Sequence, residues 1–469
     1  MRYQNKGLVT LILLLAVYLT AGPAAILAQQ QICQPSGTPE TRTGAIGAGD
    51  TTQAGRTVRD GRPSSCRGKT NTLQNATAVR RDFYNFTSPV TGCATVDMDM
   101  TGCGGATANS SAVVAYSPYN AAAPGTGIIG DPGFSTIGTA SFSFPVTNGQ
   151  AFTLVVHEIT PGGGCAAYTF RLQYSTGCRY AGYDRTNDGK ADPTIFRPST
   201  GDWWTLNSEG GFNTENFGTV GDTLVSGDYT GDGISDSAVF RPSNSFWYYG
   251  NSHTNPGTNF TGQKFGTTGD FPVPGDYDRD GKIDLAVWRP STGTYHILFS
   301  SDNTADALKW GNPGDTPVVG DYDGDLIADF AVVRPDAGNY RWFILESNFG
   351  FGFQLSTPFG LLTDKLVPGD YDGDGKTDIA VWRPSDGVWH VFSSNFLLPI
   401  SFGPFGLPTD IPQPADYDGD KKTDLAVFRS DPDPANNFWY ILNSGTSTLT
   451  SVEWGQQGDI PVTAPVPAP

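Results

Sequence analysis

One nine-residue pattern, repeated along the chain, limits what it can fold into. In Asp370-Tyr371-Asp372-Gly373-Asp374-Gly375-Lys376-Thr377-Asp378, carboxylates stand at positions 1, 3, 5 and 9, and Ile379-Ala380-Val381-Trp382-Arg383-Pro384 follows directly. Such a loop wraps a hard cation that wants oxygen ligands. Calcium takes six to eight of them at roughly 2.3–2.6 Å, and position 7 can add its backbone carbonyl. Gly375 at position 6 permits the sharp turn. The apolar run behind the loop, with its β-branched and aromatic residues, reads as a buried strand.

The pattern occurs six times, with first positions at Asp184, Asp228, Asp276, Asp321, Asp370 and Asp416, in steps of 44 to 49 residues. Each copy runs on to an arginine: Arg197, Arg241, Arg289, Arg334, Arg383 and Arg429. A period of this size marks a repeat architecture, in which one unit cannot bury its own faces and must stack on its neighbours. Unit three shows the anatomy. Residues 271–275 carry Pro272 and Pro274 and so form an edge strand. The loop 276–284 follows. Residues 285–289 are apolar on both faces, Leu285 and Val287 on one and Ala286 and Trp288 on the other, as in a strand covered from both sides. Residues 295–299 and 307–310 supply two more strands. Four short antiparallel strands per unit make an all-β protein whose units are β-propeller blades, six of them, or seven if the segment before Tyr180 contributes strands.

A second signature is an aromatic-Gly pair ending in Asp: Phe217-Gly218 to Asp222, Phe265-Gly266 to Asp270, Trp310-Gly311 to Asp315, Phe359-Gly360 to Asp364, Phe405-Gly406 to Asp410 and Trp454-Gly455 to Asp459. After the last, only Ile460-Pro461-Val462 repeats, and unit one lacks this lead-in. The C-terminal segment is therefore expected to complete the first blade and leave no open sheet edge.

The loops differ in quality. Loops three and five are complete: Asp276, Asp278, Asp280 and Asp284 with the carbonyl of Lys282, and Asp370, Asp372, Asp374 and Asp378 with that of Lys376. Loop four has Asp321, Asp323, Asp325 and Asp329 but Leu326 at position 6, and loop six has Asp416, Asp418, Asp420 and Asp424 but Lys421 there, where a side chain strains the turn. Loops one and two carry Thr186 and Thr230 at position 3, which leaves Asp184, Asp188 and Asp192, and Asp228, Asp232 and Asp236. Sites three and five rank strongest and site one weakest. An EF-hand is excluded, because that motif needs Glu at position 12 and flanking helices, and position 12 here is Ile195, Val239, Val287, Val332, Val381 or Val427.

The block resembles the FG-GAP, or VCBS, repeat family, known from the amino-terminal propeller of integrin alpha subunits. The resemblance implies that the Asp-x-Asp-x-Asp-Gly-x-x-Asp loop joins the first two strands of a blade and binds calcium. The Arg-Pro-Ser-x-Gly-x-aromatic extension is similar to that of secreted bacterial members.

The formal net charge of −18 argues against nucleic-acid or anionic-membrane partners, which need basic surface. The loop positions hold 22 of the 47 acidic residues, so cations bound there would neutralise much of that charge. Residues 1–28, with Arg2 and Lys6 before an apolar core at 8–20, read as a secretory signal peptide. No membrane insertion is expected after its removal. Residues 29–78 read as an irregular lead-in with one or two strands.

Apolar runs at 83–87, 94–100, 112–116, 140–146, 151–157 and 168–174 predict a β-sandwich over 79–178, with the propeller at 179–465 and a proline-rich tail at 466–469. The stretches 82–87 and 167–172 resemble bacterial pre-peptidase C-terminal domains. Asp97 and Asp99 are expected on the solvent face of a strand whose Val96, Met98 and Met100 point inward. All six Cys (33, 66, 93, 103, 165 and 178) lie in this region. An even count in an exported chain predicts disulfides. Cys93 and Cys103 flank one seven-residue strand and Cys165 and Cys178 another, and such a strand spans roughly 23 Å, so each is expected to pair with a Cys on another strand.

For chemistry the chain offers little. The aromatics after Arg-Pro (Trp203, Trp247, Tyr295, Tyr340, Trp389 and Trp439) fit inter-blade packing better than a sugar platform. The repeated Arg is expected to pair with a repeated Asp, in the loop or in the aromatic-Gly turn. His296 and His390 share one repeat position, and no nucleophile, zinc or phosphate motif is present. The reading is a secreted binding or adhesion module for an extracellular or cell-surface protein or glycan, with structural Ca2+. The alternative is a calcium-dependent polysaccharide-active enzyme, a lyase or hydrolase. That would be favoured by an insertion bearing Arg, Lys and Tyr, and the insertions 349–355 and 431–437 have none.

Overall fold

The apolar run behind each Asp loop becomes the second strand of a four-stranded antiparallel sheet. This architecture comes from a computed structural model. It describes residues 31–53, 78–100, 111–120, 128–130, 139–158, 165–180, 183–250, 257–347, 353–394, 398–433 and 436–462, with the short pieces 26–27, 56–57, 64, 74–75 and 103. The expected tail and most of the expected signal peptide lie outside the described residues.

Six propeller blades are present among the described residues. Blade 3 runs Phe271–Pro272, Leu285–Arg289, Thr294–Leu298 and Ala305–Lys309 in spatial as well as chain order. Blades 2, 4, 5 and 6 repeat the arrangement, their second strands being Ala238–Arg241, Phe330–Asp336, Ile379–Arg383 and Leu425–Arg429. The first strand is the edge strand in every blade but the fourth, and it carries a proline in blades 1, 3, 4 and 6. In blade 4, Ile26–Leu27 pairs in parallel beyond it, on Thr316–Val319. Blade 1 takes its first strand from the C-terminus: Ile460–Pro461 pairs with Thr194–Arg197, Pro461 opposite Ile195. Closure therefore follows the expected route. Six blades complete the ring, because the residues just before it, Cys165–Tyr180, belong to the other domain.

The second strands are covered on both faces, as their composition requires. Leu285 and Val287 pack with Phe240 and Trp247 of blade 2, and Ala286 and Trp288 with Phe330 and Val332 of blade 4. Trp203, Trp247, Tyr295, Trp389 and Trp439 are at most 1% exposed. Burying each such side chain stabilises the stack by up to about 3 kcal/mol. Blade 4 corrects the sequence reading at one point. Its hairpin Phe330–Asp336/Asn339–Glu346 is longer, and its register sets Trp342, not Tyr340, opposite Val333. Trp342 is fully buried, while Tyr340 is half-buried.

The N-terminal region is a two-sheet sandwich. One sheet orders Thr139–Val146, Gly92–Asp99, Cys165–Tyr180 and Gln31–Ile46. The other orders Thr52–Gln53, Val79–Thr87, Ala151–Glu158, Ser111–Tyr116 and Ile128–Gly130. Phe142, Phe170 and Leu172 from the first meet Phe86, Leu154 and Val156 from the second. Gln31–Ile46, read as lead-in, is thus a full strand of the sandwich. Its polar, Gly- and Thr-rich composition hides it, because it lies at a sheet edge beside Cys165–Tyr180. Cys103 pairs with Cys165, their Cα atoms 4.2 Å apart. The register that sets Asp99 opposite Thr169 brings these two positions together when extended. Cys93 is also disulfide-bonded.

Candidate metal centres

In blades 2 to 6 each loop joins the first and second strands, in blade 1 it leads into the second strand, and in all six the backbone takes left-handed turns at positions 4 and 6. Position 6 has φ of 83°, 85°, 84°, 74°, 87° and 70° at Gly189, Gly233, Gly281, Leu326, Gly375 and Lys421. Leu326 and Lys421 therefore adopt a conformation that glycine reaches without strain.

Position 1 organises the turn. Asp370 accepts the amides of Gly373 and Gly375 at 2.7 and 2.9 Å. The same bonds recur at Asp228, Asp321 and Asp416. Position 9 ties the far end: Asp378 accepts the amide of Tyr371 at 2.8 Å. With the turns so held, three carboxylates converge in each of four loops, every ligand atom within 4.8 Å of the others. In loops three and six these are positions 1, 3 and 9 (Asp276, Asp278, Asp284; Asp416, Asp418, Asp424). In loops four and five they are positions 1, 3 and 5 (Asp321, Asp323, Asp325; Asp370, Asp372, Asp374). Two oxygens sharing one calcium at about 2.4 Å are at most about 4.8 Å apart, so these triads could hold an ion such as calcium. All four carboxylates of a loop do not converge as a set. Loops one and two, which lost the position-3 carboxylate to Thr186 and Thr230, form no such group among the described residues.

The loops are also joined to one another. The amide of position 8 donates to the position-1 carbonyl of the loop before it: Ser235 to Asp184, Ile283 to Asp228, Ala328 to Asp276, Thr377 to Asp321 and Thr423 to Asp370, at 2.7–2.9 Å. Ala191 of loop one donates to Asp416 of loop six at 2.7 Å. Backbone hydrogen bonds therefore run unbroken around the ring.

Residues 321–381 and 370–427 match the FG-GAP-like repeat. Residues 321–427 are FG-GAP-like repeats. They contain three of the four Asp triads. No match was found among curated proteins. Among solved structures, the chain is similar to TolB from Acinetobacter baumannii (14% identity, TM-score 0.38), covering 58% of this chain and 66% of that one, just under two thirds of its length. It is also similar to a streptogramin B lyase (10%, TM-score 0.36, covering 59% and 84%) and to BBS1N solved with ARL6DN (15%, TM-score 0.34, covering 55% and 75%). These neighbours are propellers; the assignment of this fold stands on the chain's own six sheets.

In the FG-GAP-like loops, burial and crowding of like charges raise the carboxyl pKa values. Burial and then the neighbouring Asp325 push Asp321 well above the carboxylate range. Burial, against the moderating charge of Lys376, lifts Asp374 to about 7. Burial does the same to Asp416, to about 7, and to Asp424, to about 6. In loop three it raises Asp284 to about 7. Such sites resist holding their full negative charge without a cation.

Reading the loops alone misses a serine just past the third strand. Ser300, Ser347, Ser394 and Ser444 each donate an amide to the position-9 carboxylate at 2.6–2.7 Å and a hydroxyl to position 5 at 2.7–3.0 Å. Ser208 does so in loop one. The signal was in the sequence: a serine 16 to 20 residues after position 9 in each of these units. The side chains of Lys282 and Lys190 lie over Gly231 and Gly419 of the preceding loops. The repeated arginines choose the aromatic-Gly turn: Arg289 grips Asp270 with Nε and Nη2 at 2.9 and 2.8 Å, and the other five pairs match it.

Proposed function

We propose that the chain is a secreted, calcium-braced propeller that binds an extracellular or cell-surface protein or glycan. In this reading calcium has a structural role. The observation that carries it is the four Asp triads set in loops that are hydrogen-bonded to one another around the ring: a cation in a triad stiffens a connection shared by adjacent blades. Four centres built on the same repeated loop favour bracing over catalysis. A binding role is supported by large apolar side chains left open on the fourth strands, Phe212 (58% exposed) and Phe260 (46%), of the kind a partner covers. Five of the six aromatics after Arg-Pro, all but the half-buried Tyr340, are not available for this, being buried between blades.

The test is thermal unfolding of the full chain in calcium and in chelator. A ligand that binds only the native state at 100 times its Kd adds about 2.7 kcal/mol per site. A rise in midpoint with free calcium is expected, and an unmoved midpoint overturns the reading. Export is checked by fractionation with N-terminal sequencing, which should place the mature start near residue 29.

A further inference from the structure

Loop three breaks the repeat at position 4. The other loops have Asn187, Gly231, Gly324, Gly373 and Gly419 there, residue types that tolerate a left-handed backbone. Loop three has Arg279 at φ 60°. Strain of this kind persists where the surroundings hold it in place. Arg279 is held by a different domain: its Nη2 lies 2.5 Å from Asp97 Oδ2 of the sandwich. Its side chain is 10% exposed. Nη1 also donates to the carbonyl of Asp325 in loop four, at 3.4 Å. One side chain thus ties loop three, loop four and the sandwich. The neighbouring exception points the same way. Leu326 at position 6 of loop four is 1% exposed, as are or nearly are Asp323 (2%) and Asp325 (1%), whereas the equivalent Lys421 of loop six is exposed. Loop four, whose position 6 is the buried Leu326, is thus joined to the sandwich through Arg279.

We propose that Arg279 is a latch through which cation occupancy of loop three sets whether the sandwich is held against the propeller. Arg279 follows the triad member Asp278 in the chain, and the charge of another triad member, Asp276, acts on its guanidinium together with that of Asp97. Without a cation the Asp276 carboxylate competes with Asp97 for the guanidinium. With one bound, the triad's charge is neutralised, the turn at 279 is fixed, and the guanidinium is left to Asp97. The cation therefore favours the docked state because it removes the competing partner. The proposal rests on the calcium reading of loop three and adds a conformational consequence to it.

The test uses the full chain, with calcium uptake by titration calorimetry and domain docking by small-angle scattering and protease sensitivity between the domains. In wild type, chelation should expand the particle and speed interdomain cleavage about tenfold. Arg279→Gly restores the repeat residue and leaves the loop carboxylates intact, so it should still take up calcium yet stay expanded in its presence. Asp97→Asn should do the same, and the two together should add little, since both break the Arg279–Asp97 bond, while the separate contacts of Arg279 with the Asp325 carbonyl and of Asp97 with Arg171 lie outside that bond. Calcium uptake without any change of shape overturns the latch alone. So does an R279G chain that remains docked. Absence of uptake overturns the calcium reading and the latch together.

Discussion

Arg197 and Asp459 are 262 residues apart in the chain, yet Nε and Nη2 of the arginine donate to the two carboxylate oxygens at 2.9 Å each. In the other blades the same pair spans 19 residues. Here it fastens the last segment of the chain to the first blade. The side chains are 19% and 1% exposed. Removing one partner of a buried pair costs roughly 3–5 kcal/mol; the partial exposure of Arg197 lets water compensate, so D459N is expected to cost about 2–3. D364N, in an equivalent pair within blade 5, should cost a similar amount. The difference lies in proteolysis: only D459N should expose the C-terminal strand to early trimming. Equal resistance of the two variants would show that strand pairing alone closes the ring.

Lys421 and Leu326 carry the same backbone strain with opposite consequences. A non-glycine residue in the left-handed region costs about 1–2 kcal/mol, and glycine's extra unfolded-state freedom returns part of that on substitution. Lys421 is exposed, so K421G should stabilise the chain by about 0.5–1 kcal/mol. Leu326 is buried, and truncating a buried leucine costs about 2–5 kcal/mol, more than the relief of strain gives back. L326G should therefore destabilise. Chemical denaturation measures both, and a stabilising L326G would mean that the strain at this turn outweighs the burial.

The acidic loops give metal-free protein an unusual pH dependence. Asp284, Asp374 and Asp416 are raised to about 7 and Asp424 to about 6, mainly by burial. In the unfolded chain an aspartate titrates near 3.9. A raised native value means that the folded state binds protons more tightly, so this contribution is fully present below about pH 4 and is lost as pH rises through about 7. With chelator the melting midpoint should fall across that window. Calcium should oppose the fall most above pH 7, where the carboxylates are free to bind it, and have little effect near pH 5. A metal-free midpoint that climbs with pH through this range would contradict the assignment of these carboxyls as crowded and buried.

Much of this fold was legible because a repeat multiplies weak signals. One strand like 285–289 could be a piece of buried helix; six at the same offset from a proline edge strand and an Asp loop could not. Ring closure was legible because Trp454-Gly455 and Asp459 lacked a blade and the first unit lacked a lead-in. What stayed hidden depends on three-dimensional register. The arginines had two candidate acceptors, and only the hairpin geometry selects Asp270 and its equivalents. Ser394 lies just past the third strand, 16 residues beyond the Asp378 carboxylate it serves. Tyr340 held the expected place in sequence, but a longer hairpin moved Trp342 into the buried slot. Gln31–Ile46 lacks the alternating pattern that marks a core strand. Val96, Met98 and Met100 point inward as expected, but Asp97, expected on the solvent face, is turned to Arg279 of the other domain, a partner beyond the reach of local pattern.

The hydrogen bonds between loops predict that the centres do not act independently. Asp370 contributes a carboxylate to the loop-five triad, while its carbonyl accepts from Thr423 of loop six. On the other side, Thr377 of loop five donates to the carbonyl of Asp321, itself part of the loop-four triad. A cation that orders loop five therefore also orders one anchoring group in each neighbour, which then has less to organise on binding. Asp372 belongs to the loop-five triad but makes neither inter-loop bond, so D372N should disable that centre without breaking the ring. Calorimetric titration of D372N should show one site fewer and a two- to fivefold weaker affinity at the remaining sites, a coupling of about 0.4–1 kcal/mol, at or below the low end of the usual range. Independent centres would lose the one site and leave the other affinities untouched, and the ring of hydrogen bonds would then be a scaffold without thermodynamic coupling.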